Sequence, residues 1–222
     1  MWLVQGTHWQ LILKKSIFHQ SRGLHNIVLM LLSSGANPNS VTGPPRKTPL
    51  HIAASGGHLN IIQTLIKRGK AIWDKTDDWG WTILHEACAA GSKDTLSFLY
   101  KECRELSNQA DKLGRTPLLV GLLSGIGADV ITILLEQGED ASKEDQVGRG
   151  CPEAALLYCD SGAFRVVLNG FLKTEGLDEI SKQLLLEIAE DQDEKDEKKK
   201  VIHELTEGVC KVLDLKSTVV LP

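Results

Sequence analysis

Thr48-Pro49-Leu50-His51 returns 34 residues later as Thr82-Ile83-Leu84-His85, again as Thr116-Pro117-Leu118-Leu119, and in decayed form as Gly150-Cys151-Pro152-Glu153. Gly80, Gly114 and Gly148 keep the same step, and so do Gly57, Gly91 and Gly125, which serve a different turn. Two turn positions in one register identify an internal repeat, and a repeat of this length means an array of small supersecondary units. Upstream, Gly23-Leu24-His25-Asn26-Ile27-Val28 aligns with Gly57-His58-Leu59-Asn60-Ile61-Ile62, and Gly35 precedes Gly69 by the same 34 residues. An earlier unit therefore keeps a recognisable second half, while its first half, Leu11 to Gln20, has diverged.

Each unit reads as turn, short helix, turn, longer helix. Thr48 and Thr82 are N-cap residues, and Pro49 suits the first helical position, where its missing N–H costs nothing. Leu50 and Ala53 begin a buried stripe, and Ser55-Gly56-Gly57 supplies a stop that tolerates positive φ. The second helix carries Leu59, Ile62, Leu65 and Ile66 on one face. Such a pair cannot bury its apolar face alone, whereas stacked neighbours can, and small residues on the first helix let the second approach.

Composition agrees. The 222 residues are 42% hydrophobic and 24% charged, Leu and Ile dominate the apolar set, and only 5% are aromatic, which disfavours disorder and an all-β fold. The best membrane candidate, Leu24 to Leu32, is short and interrupted by His25 and Asn26, so no transmembrane segment is expected. Met1 to Gly6 lacks a basic n-region, because Lys14 and Lys15 come later, so no secretory signal is read. Cys88, Cys103, Cys151, Cys159 and Cys210 form an odd, scattered set without C-x-x-C, which points to reduced thiols and an intracellular location, cytoplasmic or nuclear. Up to residue 76, nine lysines and arginines stand against the single acid Asp74, a net +8; with −4 overall, the remainder carries −12. That polarity concerns encounter with charged partners rather than folding.

These residues resemble the ankyrin-repeat family: Thr-Pro-Leu-His at 48–51, Ala53-Ala54, Gly57-His58, Ile61-Ile62, Leu65-Ile66, Gly35-Ala36-Asn37-Pro38-Asn39, and Gly80-Trp81-Thr82-Ile83-Leu84-His85-Glu86-Ala87. The likeness runs from about residue 11 to 172. It implies an all-α solenoid of about five repeats: a degenerate one over 1–40, repeats over 41–79, 80–113 and 114–147, and a degenerate one over 148–172. The step of 34 is one longer than the family's common 33. The extra residue is expected in the hairpin around Asp77-Asp78-Trp79 in one unit and in the loop Gly125-Ile126-Gly127-Ala128 in another, with local distortion of both loops.

Residues 173–222 follow another rule. Leu177, Ile180, Leu184 and Ile188 form one helical stripe and Val201, Leu205, Val209 and Val212 another, separated by the charged run Glu190 to Lys200. Two readings stand, a pair of C-terminal helices capping the last repeat or a helix offered to a partner.

Catalytic motifs are absent. There is no G-x-S-x-G, P-loop lysine motif or H-E-x-x-H, and Gly125 to Asp129 lacks both the G-x-G-x-x-G spacing and a preceding strand. His51 and His85 fill the Thr-Pro-Leu-His position, where the resemblance implies that the imidazole bonds neighbouring turns. His85 and Cys88 are two ligands at most, and zinc needs three or four, so no metal and no cofactor are expected. Asp77-Asp78 and Glu139-Asp140 are expected at water-exposed tips, where carboxylates seldom gain the raised pKa of a general acid. The chain is read as non-enzymatic.

What the resemblance implies is partner binding on a concave face made of hairpin tips and the first helices. Matching positions give Lys47; Asp78, Trp79 and Trp81; Lys112, Leu113 and Arg115; and Gln146, Val147 and Arg149, with Glu86 on the helix behind. Either tryptophan is an interface anchor or a ring folded back onto its own hairpin. Trp79, Trp81, Asp77, Asp78 and Glu86 suit a lysine- or arginine-rich segment, and Gly80 to Ala87 looks like the segment that some chromatin-reading ankyrin modules use on histone tails. The expected function is a protein-interaction module acting as adaptor, scaffold or regulatory inhibitor. The alternatives are a reader of basic tails, or the substrate-selecting part of an enzyme or effector, for which about 50 residues beyond the repeats is short. Lys47, Lys67, Arg68 and Lys70 could meet a charged partner, but no aromatic residue interleaves them as in a nucleic-acid site. Head-to-tail association of basic and acidic ends is a third arrangement.

Overall fold

The computed structural model describes residues 24–41 and 43–174. The diverged half-unit at 11–20 and the two apolar stripes beyond residue 174 lie outside the described residues.

Nine α-helices follow in order among the described residues. They are α1 (Leu24–Ser33), α2 (Pro49–Ser55), α3 (Leu59–Lys67), α4 (Ile83–Ala90), α5 (Lys93–Glu102), α6 (Pro117–Leu123), α7 (Ala128–Glu136), α8 (Cys151–Tyr158) and α9 (Ser161–Thr174). A 3₁₀ turn, Arg104–Leu106, follows α5. Among the described residues the only β contact is an isolated bridge between Glu144 and Gly150. The short helices α2, α4, α6 and α8 pack side by side as one row, and α1, α3, α5, α7 and α9 form the second. One continuous apolar core runs between the rows from Val28 to Phe171.

The caps set where the short helices begin. Thr48 and Thr116 have extended φ and ψ, their hydroxyls accept the His51 and Leu119 N–H groups, and Pro49 and Pro117 open the helix. Thr82 occupies the same place without a proline behind it; its N–H donates to His85 Nδ1 at 3.1 Å. Gly150, the fourth member, brings no side chain to cap α8.

Small residues let neighbouring elements approach closely. At Gly121 a Cβ would stand 2.7 Å from Ile126 Cδ1 and 3.3 Å from Cys88 Cβ. Ile126 is also the additional residue of the loop at 125–128, since the second-row caps His58 and Ser92 are 34 apart while Gly127 follows Ser92 by 35. Its side chain is buried over Gly121, so the extra length contributes apolar packing.

The other additional residue is not where it was expected. The hairpin at 77–81 closes with the same backbone bonds as those at 111–115 and 145–149. The difference lies at the end of α3. Ala36 and Glu139 N–H groups bond carbonyls five residues back, on Leu31 and Leu134, but Ala71 N–H reaches six back to Leu65. Lys70, at φ 51°, takes the left-handed position that Gly35 and Gly138 take elsewhere. A helix end can absorb a residue by one wider turn, whereas a hairpin tied at both strands cannot.

Candidate functional site

The loops that precede α2, α4, α6 and α8 form a row of hairpin tips. In three of them an aspartate organises the turn. Asp77 Oδ1 accepts the N–H groups of Trp79 and Trp81, Asp111 Oδ1 those of Leu113 and Arg115, and Asp145 Oδ1 those of Val147 and Arg149, all at 2.8–3.0 Å. Gly80, Gly114 and Gly148 follow with φ of 83°, 81° and 79°. Each tip is then bonded to the next: Pro45 C=O accepts Asp78 N–H, Trp79 C=O accepts Lys112 N–H, and Leu113 C=O accepts Gln146 N–H, at 2.9–3.0 Å. Asp77, Asp111 and Asp145 also stand 34 apart, so the signal that would have found them lay in the same register as the threonines.

Histidines tie the tips to the helices. The Nδ1 of His85 accepts from Thr82, so the proton of the neutral ring lies on Nε2, which donates to Arg115 C=O at 3.0 Å. His51 pairs with the Thr48 hydroxyl at 2.8 Å and donates from Nε2 to Trp81 C=O at 3.0 Å. Burial lowers the pKa of both rings, against the raising effect of the carbonyl bonds, which suits neutral imidazoles in this role. Both bonds bridge neighbouring turns, as the resemblance implied.

Along the tips runs a recurring apolar position, filled by Pro45, Trp79, Leu113 and Val147. Trp79 and Leu113 are each 53% exposed and Val147 is 81% exposed. Asp78, Lys112 and Gln146 are exposed beside them, and Lys112 Nζ donates to Asp78 C=O at 2.7 Å. Two positions further along each tip stand Lys47, Trp81, Arg115 and Arg149, all half-buried. Arg115 places Nε and Nη2 on Asp111 Oδ2 at 2.8 and 2.6 Å, while Arg149 Nε lies 3.4 Å from Asp145 Oδ2. Burial pushes Asp111 up, but the Arg115 and backbone N–H bonds outweigh it and hold the carboxyl below its usual range.

The two tryptophans differ in role. Trp81 stacks on His85 (6.1 Å, 24°), lies under the Arg115 guanidinium at 5.7 Å, and donates Nε1–H to Asp111 Oδ2 at 3.0 Å. Trp79 meets it edge-on at 6.4 Å and keeps most of its surface in water. Lys47 reaches across from the preceding tip. Its Nζ sits 5.4 and 5.5 Å from the two ring centroids and 2.5 Å from Glu86 Oε1. Ring quadrupoles and a carboxylate both favour an ammonium there.

Three acids depart from the sequence reading. Glu86 is only 3% exposed and already engaged by Lys47; burial raises its pKa and Lys47 lowers it. Asp77 is buried as the turn-forming acid. Glu139 is buried between units, where Tyr100 OH donates to its Oε1 at 2.6 Å and Asn108 N–H at 3.2 Å, and burial raises its pKa. Glu86 and Glu139 meet residues of the preceding unit, Lys47 for the first and Tyr100 and Asn108 for the second, which one unit's sequence does not reveal.

Among the described residues no group of three His, Cys, Asp or Glu side chains converges on a metal-sized site. Cys88, Cys103, Cys151 and Cys159 are free thiols. No helix among the described residues is long and apolar enough to cross a membrane.

The family profile described as ankyrin repeats (three copies) matches residues 17–107 and 71–145, more than half of the chain. The chain belongs to the ankyrin-repeat family. Ankyrin repeats are protein–protein interaction modules and are generally non-catalytic. It is 32% identical over 114 residues to alpha-latrotoxin-Lh1a of Latrodectus hasselti, covering 50% of this chain and 8% of the toxin. It is 39% identical over 79 residues to the potassium channel GORK of Arabidopsis thaliana, covering 36% of this chain and 9% of the channel. A putative palmitoyltransferase, ZDHHC13 of Danio rerio, is 28% identical over 134 residues, covering 60% of this chain and 20% of that protein. The ankyrin array thus corresponds to a fifth or less of the length of these relatives.

Proposed function

We propose that this chain is a non-catalytic adaptor, scaffold or regulatory-inhibitor module that engages a partner protein or peptide along its hairpin tips and the adjoining first-row helices, the concave face of an ankyrin array. One observation carries the reading. Trp79, Leu113 and Val147 recur at one structural position and leave large apolar side chains in water along bonded tips, where turn chemistry favours Gly, Pro, Asn, Asp and Ser. In this reading the interacting units are the repeats at 41–79, 80–113 and 114–147, with the degenerate units as ends, and the contact set is Lys47, Asp78, Trp79, Trp81, Lys112, Leu113, Arg115, Gln146 and Arg149. The basic first third is a further surface for an acidic partner, and the setting is intracellular.

The test is retention of proteins from lysate by the intact chain beside a Trp79→Ala, Leu113→Ala, Val147→Ala variant with matching circular dichroism and melting temperature. Proteins held by the first and lost by the second support the tip row. An identical set of retained proteins overturns it.

A second reading, recognition of lysine- or arginine-rich segments such as histone-like tails, is favoured by the way Trp79, Trp81 and Glu86 already hold the Lys47 ammonium. Titration with a lysine-rich peptide tests it: saturable binding that Trp79→Ala weakens supports the reading, and no binding rejects it.

A further inference from the structure

The first tip, 43–47, is built differently from the three that follow it. Gly43 stands where Asp77, Asp111 and Asp145 stand, so no carboxylate gathers the tip's N–H groups. Arg46 N–H donates to Gly43 C=O at 3.0 Å, and Pro45 C=O accepts Asp78 N–H at 2.9 Å. Arg46 takes φ 60° where the other tips have glycine, a conformation that disfavours a side chain. This tip, which lacks the aspartate of the other three, carries Lys47.

The place Lys47 reaches holds two buried carboxyl groups for one ammonium. Glu86 and Asp77 are both buried, and Asp77 Oδ2 has no hydrogen-bond partner. The corresponding Asp111 Oδ2 has three donors, from Trp81 and Arg115. Trp81 replaces the arginine that would serve Asp77, so aromatic faces stand where the other tips supply a cation. A buried carboxylate left without its cation is strongly unfavourable, which makes this place a standing attraction for an ammonium.

We propose that Lys47 is an internal occupant of an ammonium site built by Glu86, Asp77, Trp79 and Trp81, and that a lysine of a partner segment binds there by displacing it. The proposal rests on the reading of this place as one for lysine-rich segments and adds how it is regulated. A tethered lysine competes at an effective concentration in the millimolar range, and apparent affinity falls by the fraction of molecules in which the site is vacated. Whatever draws the first tip away opens the site.

The experiment is calorimetric titration of the full chain with a capped peptide of alternating glycine and lysine, at low and at physiological salt. It compares wild type, Lys47→Met, Lys47→Met with Glu86→Gln, and Gly43→Asp. Gly43 has no atom within 4 Å of an added Cβ, and an aspartate there can accept the Lys47 N–H as Asp77 accepts that of Trp81. Lys47→Met is expected to bind the peptide at least tenfold more tightly than wild type, Glu86→Gln to cancel that gain, and Gly43→Asp to bind several-fold more weakly. Equal binding by wild type and Lys47→Met overturns the displacement and leaves the site reading intact. No binding by either overturns both. If Lys47→Met does not fold, an unchanged affinity in Gly43→Asp overturns the displacement instead.

Discussion

The junctions between neighbouring short helices are of two kinds. Between α2 and α4, and between α4 and α6, a buried histidine bridges from its own cap to the carbonyl of the next tip. Between α6 and α8 the histidine is Leu119, the cap threonine of the following helix is Gly150, and contact is made by apolar residues such as Ala154, Ala155 and Cys151. Both kinds bury the same sort of surface. The difference is that the bridged junctions add a buried side-chain bond to the tip-to-tip backbone bond, whereas the third keeps the backbone bond from Gln146 N–H to Leu113 C=O without a histidine beneath it.

The largest expected effect breaks the first kind. His85→Leu, which copies position 119, leaves the buried Thr82 N–H without its acceptor and removes one donor from Arg115 C=O, and should cost about 3 kcal/mol in urea unfolding. It should also change the pH response. Because burial lowers the His51 and His85 values, the native state stays neutral while the unfolded chain takes up protons below pH 6.5, so stability falls as pH drops through that value. His85→Leu should shrink this acid-side loss, and an unaltered slope would remove the histidine from the account.

Next come the tip glycines. A Cβ on Gly80 would stand 2.9 Å from Lys112 N, whereas the nearest atom to one on Gly148 is 4.0 Å away, Glu144 Oε2. Both have positive φ, so alanine should cost about 2 kcal/mol at 80 and about 1 at 148. Equal losses in thermal melts would mean that tip-to-tip contact adds nothing.

Smallest is Glu139. Its raised pKa means that the native state holds a proton the unfolded chain releases above pH 4.5, so stability is lost as pH rises from there through the folded value. Glu139→Gln should therefore stabilise by about 1 kcal/mol at neutral pH and by nothing near pH 4. A gain that does not depend on pH would point to another cause.

The repeat register made much of the fold legible. Thr48, Thr82 and Thr116 located the short helices, and His51 and His85 were read as turn ties on the strength of resemblance. What escaped depended on contact between units. Asp77 looked like an exposed acid because nothing within its own unit shows that it closes the turn, although Asp111 and Asp145 repeat it. Glu86 looked available because its cover, Lys47, is 39 residues earlier and on a different tip. The added residue was placed at Asp77 to Trp79 because a count locates a surplus only between fixed points, and Lys70 rather than glycine marks the true place.

Lys70 also shows where this architecture accepts length variation. An added residue at a helix end leaves the bonded tips at their original spacing, while one added inside a tip would put every later carbonyl out of step. Insertions in such a chain therefore have a permitted address, at helix ends outside the bonded tips. The spacing from tip to tip along the row is inherited unchanged, so the residues at each tip can diverge while the distance between tips stays fixed.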